Sequence, residues 1–174
     1  DWFIENQKDG PNPHDALNDP EQSAAVLQAH VDEGLKLAKR HRLPRPIADF
    51  IPEHQGTLKM GFFLHKARQI NPNIEERRFR YHGPPPRSKE TGILMLADGC
   101  EAALRSLPPD TSEAEAKDTV RRIVESRQVD GQLRKSGLSR SEVELVVQAF
   151  VKVWRRMRHR RIPYPIPARP RHSA

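Results

Sequence analysis

Three side chains stand where the surrounding pattern asks for apolar ones. His30 falls beside Leu27, Val31 and Gly34 on the inward face of a long helical pattern. His54 lies in Ile51-Pro52-Glu53-His54-Gln55-Gly56-Thr57, between an expected helix end and a glycine turn, with Phe50, Leu58, Phe62 and Phe63 around it. Asp98 has Leu94, Met95 and Ala102 as helical neighbours, and only Glu101 among them is polar. An isolated carboxylate on such a face is costly unless it is paired or ligated. Taken singly, a helix histidine is more often a hydrogen-bonded core residue than a ligand, and an inward Asp is often a cap or an ion-pair partner. Taken together, two imidazoles and a carboxylate from three helices are what a helical bundle offers a divalent metal. No tight local motif such as H-E-x-x-H supports them, so residue types alone reach no further than a candidate metal site.

The elements that must position these residues are helices. Residues 1 to 18 read as irregular, because Gly10-Pro11-Asn12-Pro13 interrupts any helix. Asp19 as N-cap, Pro20 at the first position and Glu21 in the first turn open a helix running to about His41, with His30 on its apolar face. Leu43-Pro44-Arg45-Pro46 stops it, and a short apolar helix through Ile47, Phe50 and Ile51 follows. Thr57 is placed to cap a helix from Leu58 to Ile70. Residues 71 to 88 form the longest loop and end in Arg80, Tyr81, three prolines and Arg87. Helices are expected from Ser88 to about Leu107, from the capping box at Ser112 to about Gln128, and from Ser139 through Phe150 and Trp154. No segment alternates like a strand and no internal repeat is present, so the fold class is all-α.

Length and composition set the limits. A chain of 174 residues, 36% hydrophobic and 30% charged, suits one helix-rich domain. No apolar run is long enough to span a bilayer, and the opening Asp1-Trp2-Phe3 has no signal-peptide layout. The single Cys100 excludes an internal disulfide and reads as a small buried hydrophobe. The net charge is +7, but Arg155 to Arg161 carries five arginines and accounts for most of it. That cluster would bind RNA or anionic lipid if it formed a basic face. A solvated helix end fits it better, since cations there suit the dipole and Pro163, Pro165, Pro167 and Pro170 follow in a Pro/Arg-rich tail over 162–174.

Seven stretches, in order, carry a resemblance: Phe3-Ile4-Glu5-Asn6-Gln7, Asn12-Pro13-His14-Asp15, His30 with Gly34, His54-Gln55-Gly56-Thr57, Phe63-Leu64-His65-Lys66-Ala67, Phe79-Arg80-Tyr81, and Met95 through Ala103. With Asp130-Gly131-Gln132-Leu133 they resemble the cytoplasmic HD-domain phosphohydrolase of bacterial seven-transmembrane HD proteins, the membrane-anchored cyclic di-AMP phosphodiesterases. The resemblance implies an HD-domain-like helical bundle over 1–161, without its N-terminal helices. It also implies two divalent metals, manganese or iron, and two-metal hydrolysis of a cyclic dinucleotide to the linear form. On it His30, His54 and Asp98 match ligand positions, while the His-Asp pair that names the family falls before Asp1; His14-Asp15, in a proline-flanked loop, is not that pair. The fragment alone is then expected to be inactive, its partners being its own upstream segment, a transmembrane region and a cyclic dinucleotide rather than nucleic acid. Its parent would sit at the cytoplasmic face of the bacterial inner membrane. The family's two successive histidines are His54-Gln55 here, and Gln55 offers only a weak amide oxygen or a water contact. That departure leaves a second reading open, a nucleotide sensor with a degraded metal site. Lys66, Arg80, Tyr81 and Arg87 are candidate phosphate or base contacts.

Overall fold

The computed structural model describes His14 and residues 17–158. From Pro20 on, the described helices are, in order, α1 (Pro20–Arg40), α2 (Arg45–Ala48), α3 (Phe50–Glu53), α4 (Gly61–Ile70), α5 (Lys89–Arg105), α6 (Glu113–Val129) and α7 (Arg140–Arg158), with a 3-10 turn at Glu76–Phe79 before α5. Among the described residues the only ladder contact is an isolated antiparallel bridge between Lys59 and Arg80, so the all-α expectation holds. No described helix is long and apolar enough to cross a membrane.

Local chemistry sets the helix starts. Asp19 accepts from the amides of Glu21 and Gln22, and Pro20 opens α1. Ser88 with Thr91, and Ser112 with Glu115, close reciprocal capping boxes on α5 and α6. At α4 the expectation fails. That helix begins at Gly61, three residues later than Leu58, with no side-chain cap. Leu58 and Met60 are instead taken by the loop, Leu58 accepting from the Tyr81 amide at 3.1 Å and Met60 donating to Phe79 at 2.8 Å. Thr57 is likewise no cap; its amide donates to Gln132 Oε1 at 3.0 Å. His14 and Leu17, read as loop, are helical. A proline bars helix before itself and not after.

Two cores result. Helices α5, α6 and α7 pack around Leu96, Cys100, Val120, Val124, Val147 and Val151. Helices α1 and α4 with the 3-10 turn enclose Ala24, Met60, Leu64, Ala67 and Phe79. The short α3 touches both α1 and α5, so the turn after it lies between the two halves. Cys100 is 1% exposed and burial pushes its thiol up to about 11, which fits the small-hydrophobe reading. Of the arginine cluster, Arg155 pairs with Glu113 at 3.4 Å, and Arg158 lies over the Trp154 ring and donates to the Pro108 carbonyl. Arg156 is exposed in the last turn of α7, while residues 159–161 of the cluster and the 162–174 tail lie outside the described residues.

Candidate metal site

Helices α1 and α3 meet where Gly34 faces Ile51. A Cβ on Gly34 would stand 2.8 Å from Ile51 Cγ2, so only a glycine allows this approach. His30 lies one turn before Gly34 and His54 one turn after Ile51, so the same contact carries the two imidazoles together. Their Nε2 atoms are 3.4 Å apart. Each Nδ1 points at a carbonyl of the preceding turn, Leu27 at 2.5 Å and Ile51 at 2.6 Å. A carbonyl only accepts, so each Nδ1 carries a proton, and in the tautomer with no Nε2 proton each ring turns an Nε2 lone pair towards the other. Two such lone pairs repel unless a proton or a cation lies between them. With nitrogen–metal bonds of about 2.1 Å at a tetrahedral angle, two ligand nitrogens stand about 3.4 Å apart. The pair therefore fits one shared ion, with the backbone carbonyls as orienting partners.

Asp98 behaves differently from the expectation that desolvation makes it costly. It is exposed, as are Ile93, Leu94, Glu101 and Ala102 around it. The packed face of α5 is instead Thr91, Gly92, Met95, Leu96, Cys100 and Leu104. Helix α5 carries two apolar stripes, and hydropathy did not reveal which one the bundle covers. Among the described residues no three His, Cys, Asp or Glu side chains are close enough to hold an ion together, so the structure gathers His30 with His54 but not Asp98 with them. The acid is nonetheless a neighbour. The Tyr81 ring stands edge-on to His30 with centroids 5.9 Å apart, and burial, with the Asp98 charge adding to it, pushes the Tyr81 hydroxyl up to about 12. That hydroxyl is protonated at neutral pH and can donate a hydrogen bond; it is no base.

The turn that presents His54 is held from both sides. Upstream, Glu53 is 1% exposed and accepts from the Arg87 amide at 2.8 Å, from Arg87 Nε at 2.7 Å and from Thr91 Oγ1 at 2.7 Å. Burial alone would raise its pKa, but these three donors and the Arg87 charge hold it below the ordinary glutamate value. Downstream, Gly56 takes φ +52°, and a Cβ there would meet Gln132 Oε1 at 2.6 Å and Met95 Cε at 2.7 Å. Gln132, 1% exposed, ties Thr57 to Asp130: its Nε2 donates to Thr57 Oγ1 at 2.9 Å and to Asp130 Oδ2 at 2.8 Å.

The remaining sequence candidates divide. Arg80 is already occupied by Glu76 at 2.8 Å, Asp130 at 3.1 Å and the Thr57 carbonyl at 2.9 Å. Arg87 is occupied by Glu53 at 2.7 Å and Asp49 at 3.5 Å. Both were candidate phosphate contacts, and the structure gives both to carboxylates that brace the His54 turn. Lys66 sits over the Phe62 ring, 4.5 Å from its centroid, and His14 packs on Phe63 on the same side of α4. Gln55 is half-buried beside His54, and its carbonyl accepts from the Leu58 amide at 3.1 Å. Sequence reasoning missed Gly34, Glu53 and Gln132 as positioning residues. Gln132 was visible only as part of a motif, and Glu53 looked like an ordinary helix-end acid.

No family model matches the chain. Among curated proteins it is 48% identical over 168 residues to the uncharacterized protein slr0104 of Synechocystis sp., covering 94% of this chain and 21% of that protein. It is 35% identical over 164 residues to the cyclic-di-AMP phosphodiesterase PgpH of Listeria monocytogenes, covering 94% of this chain and 23% of that protein. The same values hold for PgpH of Bacillus subtilis. The chain thus spans roughly a fifth of the length of the curated relatives it matches. Among solved structures, the L. monocytogenes PgpH HD domain in complex with cyclic-di-AMP superposes with a TM-score of 0.84 at 33% identity, over 90% of this chain and 72% of that one. A second crystal structure of that HD domain gives 0.83 at 32% identity, over 91% and 73%.

Proposed function

Because the chain belongs to the HD domains of the PgpH phosphodiesterases, we propose that it is part of a metal-dependent phosphodiesterase that opens a cyclic dinucleotide, cyclic di-AMP, to its linear form. The observation that carries the reading is the facing pair His30 and His54, with each Nδ1 against a carbonyl oxygen and the two Nε2 atoms 3.4 Å apart. Bound divalent ions, manganese or iron, would neutralise phosphoryl charge and make water nucleophilic near neutral pH.

This chain's own residues have separable parts to play. His30 and His54 donate nitrogen lone pairs and need no reorientation to do so. Asp98, which this structure does not gather with the two imidazoles, would supply the third donor from α5, its carboxylate already solvated and so without a buried counter-ion to lose. Tyr81, protonated beside His30, donates a hydrogen bond to a phosphoryl oxygen or stacks on a base. Glu53 and Gln132 hold the His54 turn against movement. Two nitrogens and one carboxylate fall short of a two-metal donor set, so on this reading further donors complete the site. On this reading the parent protein sits at the cytoplasmic face of the bacterial inner membrane, with its transmembrane region as the attached partner.

Gln55 favours one second reading, a cyclic dinucleotide sensor whose metal site no longer supports turnover, because an amide oxygen binds such ions less firmly than an imidazole. The full-length protein, loaded with manganese and assayed on cyclic di-AMP and cyclic di-GMP, separates the two. Release of linear di-AMP, lost in Asp98→Ala, supports the enzyme. Nucleotide affinity without any linear product, with one bound ion or none, overturns it in favour of the sensor.

A further inference from the structure

Arg127, near the end of α6, is a cation the site described so far does not use. Its side chain lies across α5 at Gly99, where a Cβ would stand 2.9 Å from Nη2 and 3.3 Å from Ile123 Cγ2. Gly99 therefore serves the guanidinium: any larger residue would push it off the helix that carries Asp98. Arg127 is half-buried, its Nε is fully buried without a hydrogen-bond partner, and no hydrogen bond to its guanidinium is found among the described residues. The contrast with Arg80 and Arg87, each bidentate or multiply bonded, is sharp. A buried guanidinium Nε–H without a partner is costly, and an anion reaching the same guanidinium is one remedy.

The nearest charges do not supply that remedy. Burial draws the Arg127 pKa below the usual guanidinium value, and Cys100, Asp98 and Asp130 act on it only through space. Asp98 acts in the same way on Tyr81, so it lies within electrostatic reach of both. Tyr81 in turn abuts His30. The series His54, His30, Tyr81, Asp98, Arg127 thus links the nitrogen pair, by ring contacts and then by charge acting through space, to a cation with an unpartnered Nε.

We propose that Arg127, seated on Gly99, is a phosphate-binding residue that grips the phosphodiester of the dinucleotide at the Asp98 end of the site. The proposal rests on the function proposed above, since it takes the anion to be part of that substrate. Arg127 touches substrate through its outward N–H groups and orders no metal ligand. Its loss should therefore weaken substrate binding while leaving ion binding intact.

The test uses the full-length protein and four measurements: KM and kcat for cyclic di-AMP, manganese affinity, thermal midpoint, and calorimetric binding of inorganic phosphate. Arg127→Gln should raise KM about tenfold, since a charge-assisted hydrogen bond is at stake, with kcat and manganese affinity within about threefold of the parent. Arg127→Lys should recover part of that loss, because it keeps the charge but not the fork. Gly99→Ala should raise KM in the same direction through displacement of the guanidinium. Unchanged KM in Arg127→Gln, or a fall in kcat and thermal midpoint with KM unmoved, overturns the proposal in favour of a packing role. If the parent does not hydrolyse cyclic di-AMP, the function proposed above fails. Arg127 is then judged by phosphate alone: binding lost in Arg127→Gln sustains an anion site, and binding equal in both removes it.

Discussion

The two halves of this domain are held together by different physics. The α5–α6–α7 side is aliphatic: Leu96, Val120 and Val147 are at most 2% exposed and each meets others like itself. The side that presents the histidines has its own small core, but the His54 turn is fixed by polar clamps and close glycine contacts. Glu53 is buried among three donors, Gln132 bridges Thr57 and Asp130, and Gly34 and Gly56 allow contacts that a methyl group would forbid. A greasy core tolerates volume-conserving change and resists loss of volume. A polar clamp fixes direction, which is what the proposed sharing of one ion by two imidazoles would require.

Substitutions should separate the two regimes. The largest effect on stability is expected from Leu96→Ala, which should cost about 3 kcal/mol in urea unfolding yet leave divalent-ion affinity nearly unchanged; loss of ion binding at full folding would show that the halves are not independent. Gly56→Ala should cost about 2–3 kcal/mol, from a left-handed backbone and overlap with Gln132 and Met95, and should also weaken ion binding. Gly34→Ala should cost only about 1–2 kcal/mol as Ile51 is pushed away, but should lower ion affinity about tenfold or more because the imidazoles separate. An unchanged cobalt or manganese titration in that variant would break the link between helix approach and ion binding. Asp98→Ala should move stability by less than about 0.5 kcal/mol while abolishing turnover, since an exposed carboxylate supports no packing.

Acid should sharpen the same contrast. Glu53 has a lower pKa folded than unfolded, so its contribution is complete above the ordinary glutamate value of 4.5 and is lost as pH falls through the depressed folded value. Urea midpoints should fall on acidification below about pH 4.5, and Glu53→Gln should fall less steeply over that window. An identical slope in the variant would remove Glu53 from the acid response.

Much of the helical frame was legible in the chain. Asp19-Pro20, Ser88 with Thr91 and Ser112 with Glu115 are local signals, and a helix start depends on neighbours three or four residues away. The start of α4 was misread for the opposite reason: Leu58 and Met60 are bound by Tyr81 and Phe79, some twenty residues on, and propensity carries no record of such partners. Asp98 was read as buried because both stripes of α5 are apolar. Arg80 and Arg87 looked available for phosphate because nothing local shows that Glu76, Asp130, Glu53 and Asp49 fold back on them.

By itself the sequence determined the all-α class, the caps of α1, α5 and α6, the buried Cys100 and the three unusual side chains His30, His54 and Asp98, because side-chain periodicity and capping are short-range properties. Only the tertiary structure decided that the two imidazoles face each other at 3.4 Å while the carboxylate stays in solvent, and that Arg127 rather than Arg80 is left with unmet donors. Those outcomes depend on how closely α1 approaches α3 and on which face of α5 is covered. Both are set by packing between residues far apart in the chain, where a glycine's missing methyl group counts for as much as the ligand it helps to place.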